Sequence, residues 1–116
     1  MRALRGAVCS ANNAEEISKR SIELYDKMLA ENKLSETDIV SLFFSVTADI
    51  DTQNPATALR QSGRAGETAM MVLSEAAIKD SLCGTIRILI HCYMDTDKQV
   101  RHVYMHGAEK LRPDLL

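Results

Sequence analysis

Arg87 stands inside the apolar run Thr85-Ile86-Arg87-Ile88-Leu89-Ile90, where a charge is out of place. A run this rich in β-branched residues, opened by Gly84, predicts a strand, and the flanking isoleucines predict a buried one. An unpaired guanidinium costs several kcal/mol or more to bury, so the segment must supply either an internal carboxylate or an anionic ligand. Glu75, twelve residues upstream, is the nearest strong candidate for the carboxylate. Further cations and polar groups lie at the two ends of the chain: Arg5 in Arg-Gly-Ala, then Arg101-His102-Val103-Tyr104, then Leu111-Arg112-Pro113-Asp114-Leu115. Together with Arg87 these arginines leave an anionic ligand as the other way to answer the charge.

The elements that would position these groups follow from pattern. Residues 2–9 read as an opening strand with a bend at Gly6. Asn13 and Glu16 form a capping-box-like start, and Ile17, Leu24 and Met28 with Ile22, Tyr25 and Leu29 fall at helical spacings up to a stop at Asn32. Ser35-Glu36-Thr37-Asp38 predicts a turn of helical character, and residues 39–46 a central strand. Asn54-Pro55 offers an N-cap and a first-turn proline for a short helix ending near Gly63, with a loop over 62–66. An apolar strand resumes over 68–73, residues 76–83 leave a short helix before Gly84 open, and two further strands are expected over about 85–93 and 100–106. An acidic loop around Asp95 and Asp97 separates the last two. The result is one α+β domain over 1–116, a mixed β-sheet packed against two helices. Such a sheet has one face covered and another in need of cover, which self-association would supply.

The chain has 116 residues and a formal net charge of −2 with interspersed signs, which argues against a broad nucleic-acid footprint while leaving room for a local arginine-lined pocket. The three cysteines, Cys9, Cys83 and Cys92, are odd in number and lack Cys-x-x-Cys spacing, so reduced thiols in a cytoplasmic protein are expected. No apolar run has bilayer-crossing length, and the first ten residues read as a strand, not a signal peptide. His91, Cys92, His102 and His106 cluster late in the chain, but their spacing matches no standard zinc pattern, and adjacent His91 and Cys92 would point to opposite strand faces. No metal and no cofactor is expected. Tyr104 would share a strand face with His102 and His106.

Taken in order, Arg-Gly-Ala near the start, Glu75 twelve residues before Arg87, Arg-His-Val-Tyr at 101–104 and Leu-Arg-Pro-Asp-Leu at 111–115 resemble the monofunctional chorismate mutases of the Bacillus type, over nearly the whole chain. The resemblance implies a homotrimer with a barrel-like core and active sites in the clefts between subunits, and the rearrangement of chorismate to prephenate. It implies Arg87 as the cation beside the breaking ether bond, and Glu75 as the acid that accepts the substrate hydroxyl and orients an arginine. It further implies Arg5 on a carboxylate, Tyr104 beside a carboxylate, Leu111 and Arg112 as a cover, and Arg60 contributed by the adjacent subunit. By itself Arg60 reads as a solvated helix residue, Arg112 as part of a mobile tail, and Arg87 with Glu75 as a structural ion pair.

The sequence departs from the family pattern at four positions. Val72 stands where a cysteine is common, Met71 where a threonine is usual, Asn54 where an aromatic residue is common, and Thr57 where a lysine occurs. These departures leave a second reading open, a non-catalytic trimeric protein that binds a small carboxylate on the same scaffold.

Overall fold

The computed structural model describes residues 1–115. Five strands, β1 (Arg2–Cys9), β2 (Ile39–Val46), β3 (Ala69–Ser74), β4 (Thr85–Cys92) and β5 (Val103–Met105), form one mixed sheet in the order β3-β2-β4-β1-β5. Helices α1 (Ala14–Glu31) and α2 (Pro55–Gln61) complete the α+β fold. β4 runs antiparallel to both β1 and β2, while the two edge strands, β3 and β5, pair in parallel with their neighbours. The strand expected at the centre, 39–46, is interior, but β4 holds the middle position.

Alternation decides the two faces. Leu4 and Val8 of β1, Leu42 and Phe44 of β2, and Ile86, Ile88 and Ile90 of β4 are buried in a core completed by Ile17, Leu24, Tyr25 and Met28 of α1 and Leu59 of α2. Each such aliphatic side chain contributes about 1.5–3 kcal/mol when fully buried. Both helices therefore lie on one face. The opposite face carries Arg87, Leu89 and His91 of β4, none of them fully buried. The burial expected from the flanking isoleucines holds on their face alone, and Arg87 occupies the open one.

Local signals account for the helix ends. The Asn13 side chain accepts from Glu16 N at 2.8 Å, as capping requires, but Glu16 reaches back to Ala11 N at 2.6 Å. Asn54 caps α2 through Ala56 N and Thr57 N, with Pro55 in the first turn. Glu36 N-terminal to β2 sits in a short 3-10 turn, Glu36–Asp38, and accepts from both the Tyr25 hydroxyl (2.7 Å) and Ala65 N (2.6 Å), which joins α1 to the loop after α2. Burial and the adjacent Glu36 carboxylate raise the Tyr25 pKa, so the phenol stays protonated and donates.

Three expectations need correction. The chain does not bend at Gly6: β1 pairs with β4 in unbroken register from Arg2 to Cys9. A Cβ at Gly6 would instead meet Met28 Sδ at 2.5 Å, with Leu24 Cδ1 and Ile88 Cγ2 each at 3.1 Å, so the glycine admits α1 close to the sheet. Residues 76–83 form no helix. Ile78 is exposed there, and with no apolar face to pack so short a segment has nothing to hold it helical. The last strand is only Val103–Met105, because both backbone groups of Arg101 are taken by the Asn32 side chain (2.9 Å each) and His106 turns into the left-handed region at φ 53°.

Candidate active site

Strand register assembles a row of side chains on the open face. Leu73 of β3 pairs with Ser45 of β2, Ser45 with Arg87 of β4, Arg87 with Ala7 of β1, and Ala7 with Tyr104 of β5. One step along, Met71, Phe43, Leu89 and Arg5 form the next row. Neighbouring strands lie about 4.8 Å apart, so Arg87 and Tyr104, two strands removed, stand roughly 10 Å apart with only the alanine between them. Small residues on both sides of Arg87 leave room above the sheet. The result is a cleft of about 710 Å³ whose lining includes Arg5, Arg87, Tyr104, Leu111 and Arg112.

Arg87 is held from the side. Its Nε lies 2.6 Å from Glu75 Oε1, while the N–H is not aimed at that oxygen, so the contact is an ion pair and not a directed hydrogen bond. Among the described residues the two terminal nitrogens of the guanidinium donate to no protein group, and the side chain is 41% exposed. Glu75 is the more enclosed partner at 16%, and its backbone N–H donates to Val46 O at 2.9 Å as β3 ends. The acid thus approaches Arg87 from the end of β3 and does not itself line the cleft.

The C-terminal segment closes one side. Gly107 at φ 101° follows the left-handed His106, and the chain reverses into a 3-10 turn, Ala108–Leu111, packed on β1 and β5. This brings Leu111 and Arg112 over the cleft. The Arg112 fork is engaged by Asp114, with Nε to Oδ1 at 3.1 Å and Nη2 to Oδ2 at 2.9 Å. That pairing holds the Asp114 carboxyl below its ordinary pKa and raises that of Arg112.

Five of the seven site residues read from the sequence therefore meet in one cleft, and Glu75 joins them through Arg87. Arg60 does not: it is exposed on α2, across the sheet from the open face. Val72, a departure from the family pattern, packs against the core, Met71 faces out on β3, and Asn54 and Thr57 belong to the first turn of α2. The cleft floor of Ala7, Phe43, Ser45, Leu73 and Leu89 was not foreseen. Its members share strand parity with Arg87, but which strands lie beside β4 is a matter of pairing.

The histidines are dispersed. His91 packs edge-on against Phe43, His102 receives the Arg5 N–H, and His106 lies 3.0 Å from Arg20 Nη1 and 3.5 Å from Glu23. His106 thus leaves the Tyr104 face, contrary to the alternation expected. Among the described residues no three His, Cys, Asp or Glu side chains come together as a metal site.

An α+β domain whose open sheet face presents Arg5, Arg87 and Arg112 with small and apolar residues is chemically suited to a compact anion with an apolar body. The chain belongs to the chorismate mutase type I family, whose model matches residues 1–115. It is 36% identical to the chorismate mutase AroH of Thermus thermophilus over 99% of this chain and 96% of that protein, and 30% identical to that of Bacillus subtilis (strain 168) over 99% and 92%. Its fold superposes on a chorismate mutase from Clostridium thermocellum with a TM-score of 0.89 at 38% identity, covering 95% of this chain and 99% of the other.

Proposed function

We propose that the protein converts chorismate to prephenate, with Arg87 as the group that stabilises the transition state. The observation that carries this reading is a guanidinium braced by Glu75 on one side, with terminal nitrogens that donate to no group among the described residues, at the floor of an arginine-lined cleft in a member of this family.

The reaction is pericyclic. The ether C–O bond breaks as a C–C bond forms, within a single cyclic movement of electrons, and no proton or nucleophile is exchanged. Partial negative charge grows on the ether oxygen, and Arg87 supplies a fixed cation and N–H donors to it. A planar fork suits this better than an ammonium, because it can bridge the ether oxygen and a carboxylate together. Arg5 on β1 and Tyr104 on β5, one and two strands away from Arg87, hold the substrate carboxylates. Leu111 covers the apolar side. Arg112 exchanges Asp114 for substrate as the C-terminal turn closes. Glu75 orients Arg87 through the ion pair, from outside the cleft lining.

A millionfold acceleration requires roughly 8 kcal/mol. One well-aimed donor supplies about 3–4 kcal/mol, and fixing the enolpyruvyl arm over the ring supplies the remainder. Arg87 therefore acts only together with the residues that fix the substrate's conformation.

The cleft is open on the β3 side, where Met71 and Leu73 are 55% and 47% exposed. A second copy of the chain covering this edge fits the homotrimer with a barrel-like core, and would bring Arg60 of one subunit to the cleft of the next. Three free cysteines fit a cytoplasmic location, and no described helix is long and apolar enough to cross a membrane. The deciding experiment is loss of chorismate absorbance on addition of protein with prephenate recovered as product. Saturable chorismate binding without prephenate would establish the binding protein instead.

A further inference from the structure

Arg5 brings to the cleft a side chain whose backbone is held in an unusual way. The β1–β5 ladder starts at Gly6 opposite Val103, so the Arg5 N–H lies one residue beyond the last backbone pairing. It is taken by a side chain, donating to His102 Nδ1 at 3.0 Å. His102 is itself fixed from the other direction. Asn32, buried at the end of α1, accepts from Arg101 N and donates to Arg101 O, 2.9 Å each, and also donates to Met28 O at 2.8 Å. Hydrogen bonds thus tie Arg101 to Asn32 at the end of α1, and its chain neighbour His102 to Arg5, and Tyr104 follows two residues after the imidazole.

We infer that His102 is a positioning residue for the reaction, its imidazole setting the places of Arg5 and Tyr104 while it touches no substrate itself. His102 is absent from the cleft lining; it faces a separate hollow of about 480 Å³ shared with Lys27 and Glu31 of α1 and with Arg101. The acceptor role requires a lone pair on Nδ1, so the proton resides on Nε2. Burial, then the charges of Arg5 and Arg112, hold the His102 pKa below the ordinary imidazole value, which keeps that lone pair available at neutral pH. Because Arg5 and Tyr104 grip the substrate in ground state and transition state alike, misplacing them weakens binding more than it slows the bound reaction.

The inference rests on the proposed mutase activity, and its test separates the two. With chorismate as substrate, His102→Leu is expected to raise KM about tenfold and change kcat less than about threefold, the loss expected when one hydrogen bond to a binding group is removed. His102→Asn places Oδ1 where Nδ1 stood and is expected to return KM to within about threefold of wild type. A leucine variant with wild-type KM, or asparagine and leucine variants equally impaired, would overturn the role. Imidazole nitrogen NMR on the unaltered protein at pH 7 needs no variant to fold: an Nε2–H tautomer with Nδ1 accepting supports the inference, and an Nδ1–H tautomer or an imidazolium defeats it. Absence of turnover by the wild-type protein would defeat the proposed activity, while the hydrogen bond would still be read by NMR.

Discussion

Glu75 Oε1 lies 2.6 Å from Arg87 Nε, and among the described residues the terminal nitrogens of that guanidinium have no protein acceptor. An ion pair serving stability alone would satisfy the fork bidentately, as Asp26 does for Arg64 at 2.7 and 2.9 Å. Here one edge is neutralised and the other is presented to the cleft. Arg87→Ala is therefore expected to reduce kcat by at least about a thousandfold, the upper range for losing one oxyanion donor. Lysine at this position should recover little, since an ammonium cannot bridge two coplanar oxygens. Steady-state kinetics with circular dichroism on the same samples makes the comparison; near-normal kcat in a folded Arg87→Ala protein would remove Arg87 from the mechanism.

Arg60 lies on the helix-covered side of the sheet, so a role in catalysis requires a neighbouring subunit. Mixing Arg60→Ala and Arg87→Ala chains after denaturation and joint refolding should regenerate up to about a quarter of wild-type activity, because random assembly of the proposed trimer gives that fraction of interfaces with both arginines intact. Activity no greater than that of the separate variants would confine the site to a single chain.

Gly6 neighbours Arg5 and faces α1. In Gly6→Ala the new methyl would meet Met28 Sδ at 2.5 Å with Leu24 and Ile88 at 3.1 Å. Met28 can swing, but the other two contacts must also give, and overpacking of this kind costs about 1–3 kcal/mol. A fall in Tm of at least about 4 °C is expected by calorimetry or thermal circular dichroism. An unchanged Tm would mean that α1 is free to move off the sheet.

Asp49 accepts from Thr47 Oγ1 at 2.6 Å and from Gly84 N at 2.9 Å, fixing the start of β4 where Gly84 takes φ 60°. These bonds, that to Thr47 foremost, hold the carboxyl below its ordinary pKa. A carboxyl with a depressed folded pKa stabilises fully above its unfolded value, about pH 4, and loses that contribution as pH falls through the folded value. The stability difference between wild type and Asp49→Ala, measured by denaturant unfolding, should accordingly shrink between pH 7 and pH 2.5. A difference independent of pH would show that the carboxylate charge contributes nothing.

Much of the fold was legible because local signals agree with it. Asn13 and Asn54-Pro55 mark helix starts that the structure keeps, and the isoleucines at 86, 88 and 90 mark a strand face that is indeed core. The resemblance in ordered motifs carried the site further than periodicity could, since Arg5, Arg87, Tyr104, Leu111 and Arg112 are far apart in the chain and meet in one cleft. Where local signals failed, a distant group had intervened. His106 left its expected face when the chain turned left-handed, and Arg101 left the sheet for the Asn32 side chain.

By itself the sequence determined the α+β class, the element order and the presence of a charge that must answer to an anion, because these follow from periodicity, capping and the cost of isolating a guanidinium. Only the tertiary structure decided that β4 is the middle strand, that Arg87 points to the uncovered face, and that Ser45 and Ala7 stand beside it. Strand register is a long-range choice, made by which residues pair across tens of positions, and no window along the chain contains it.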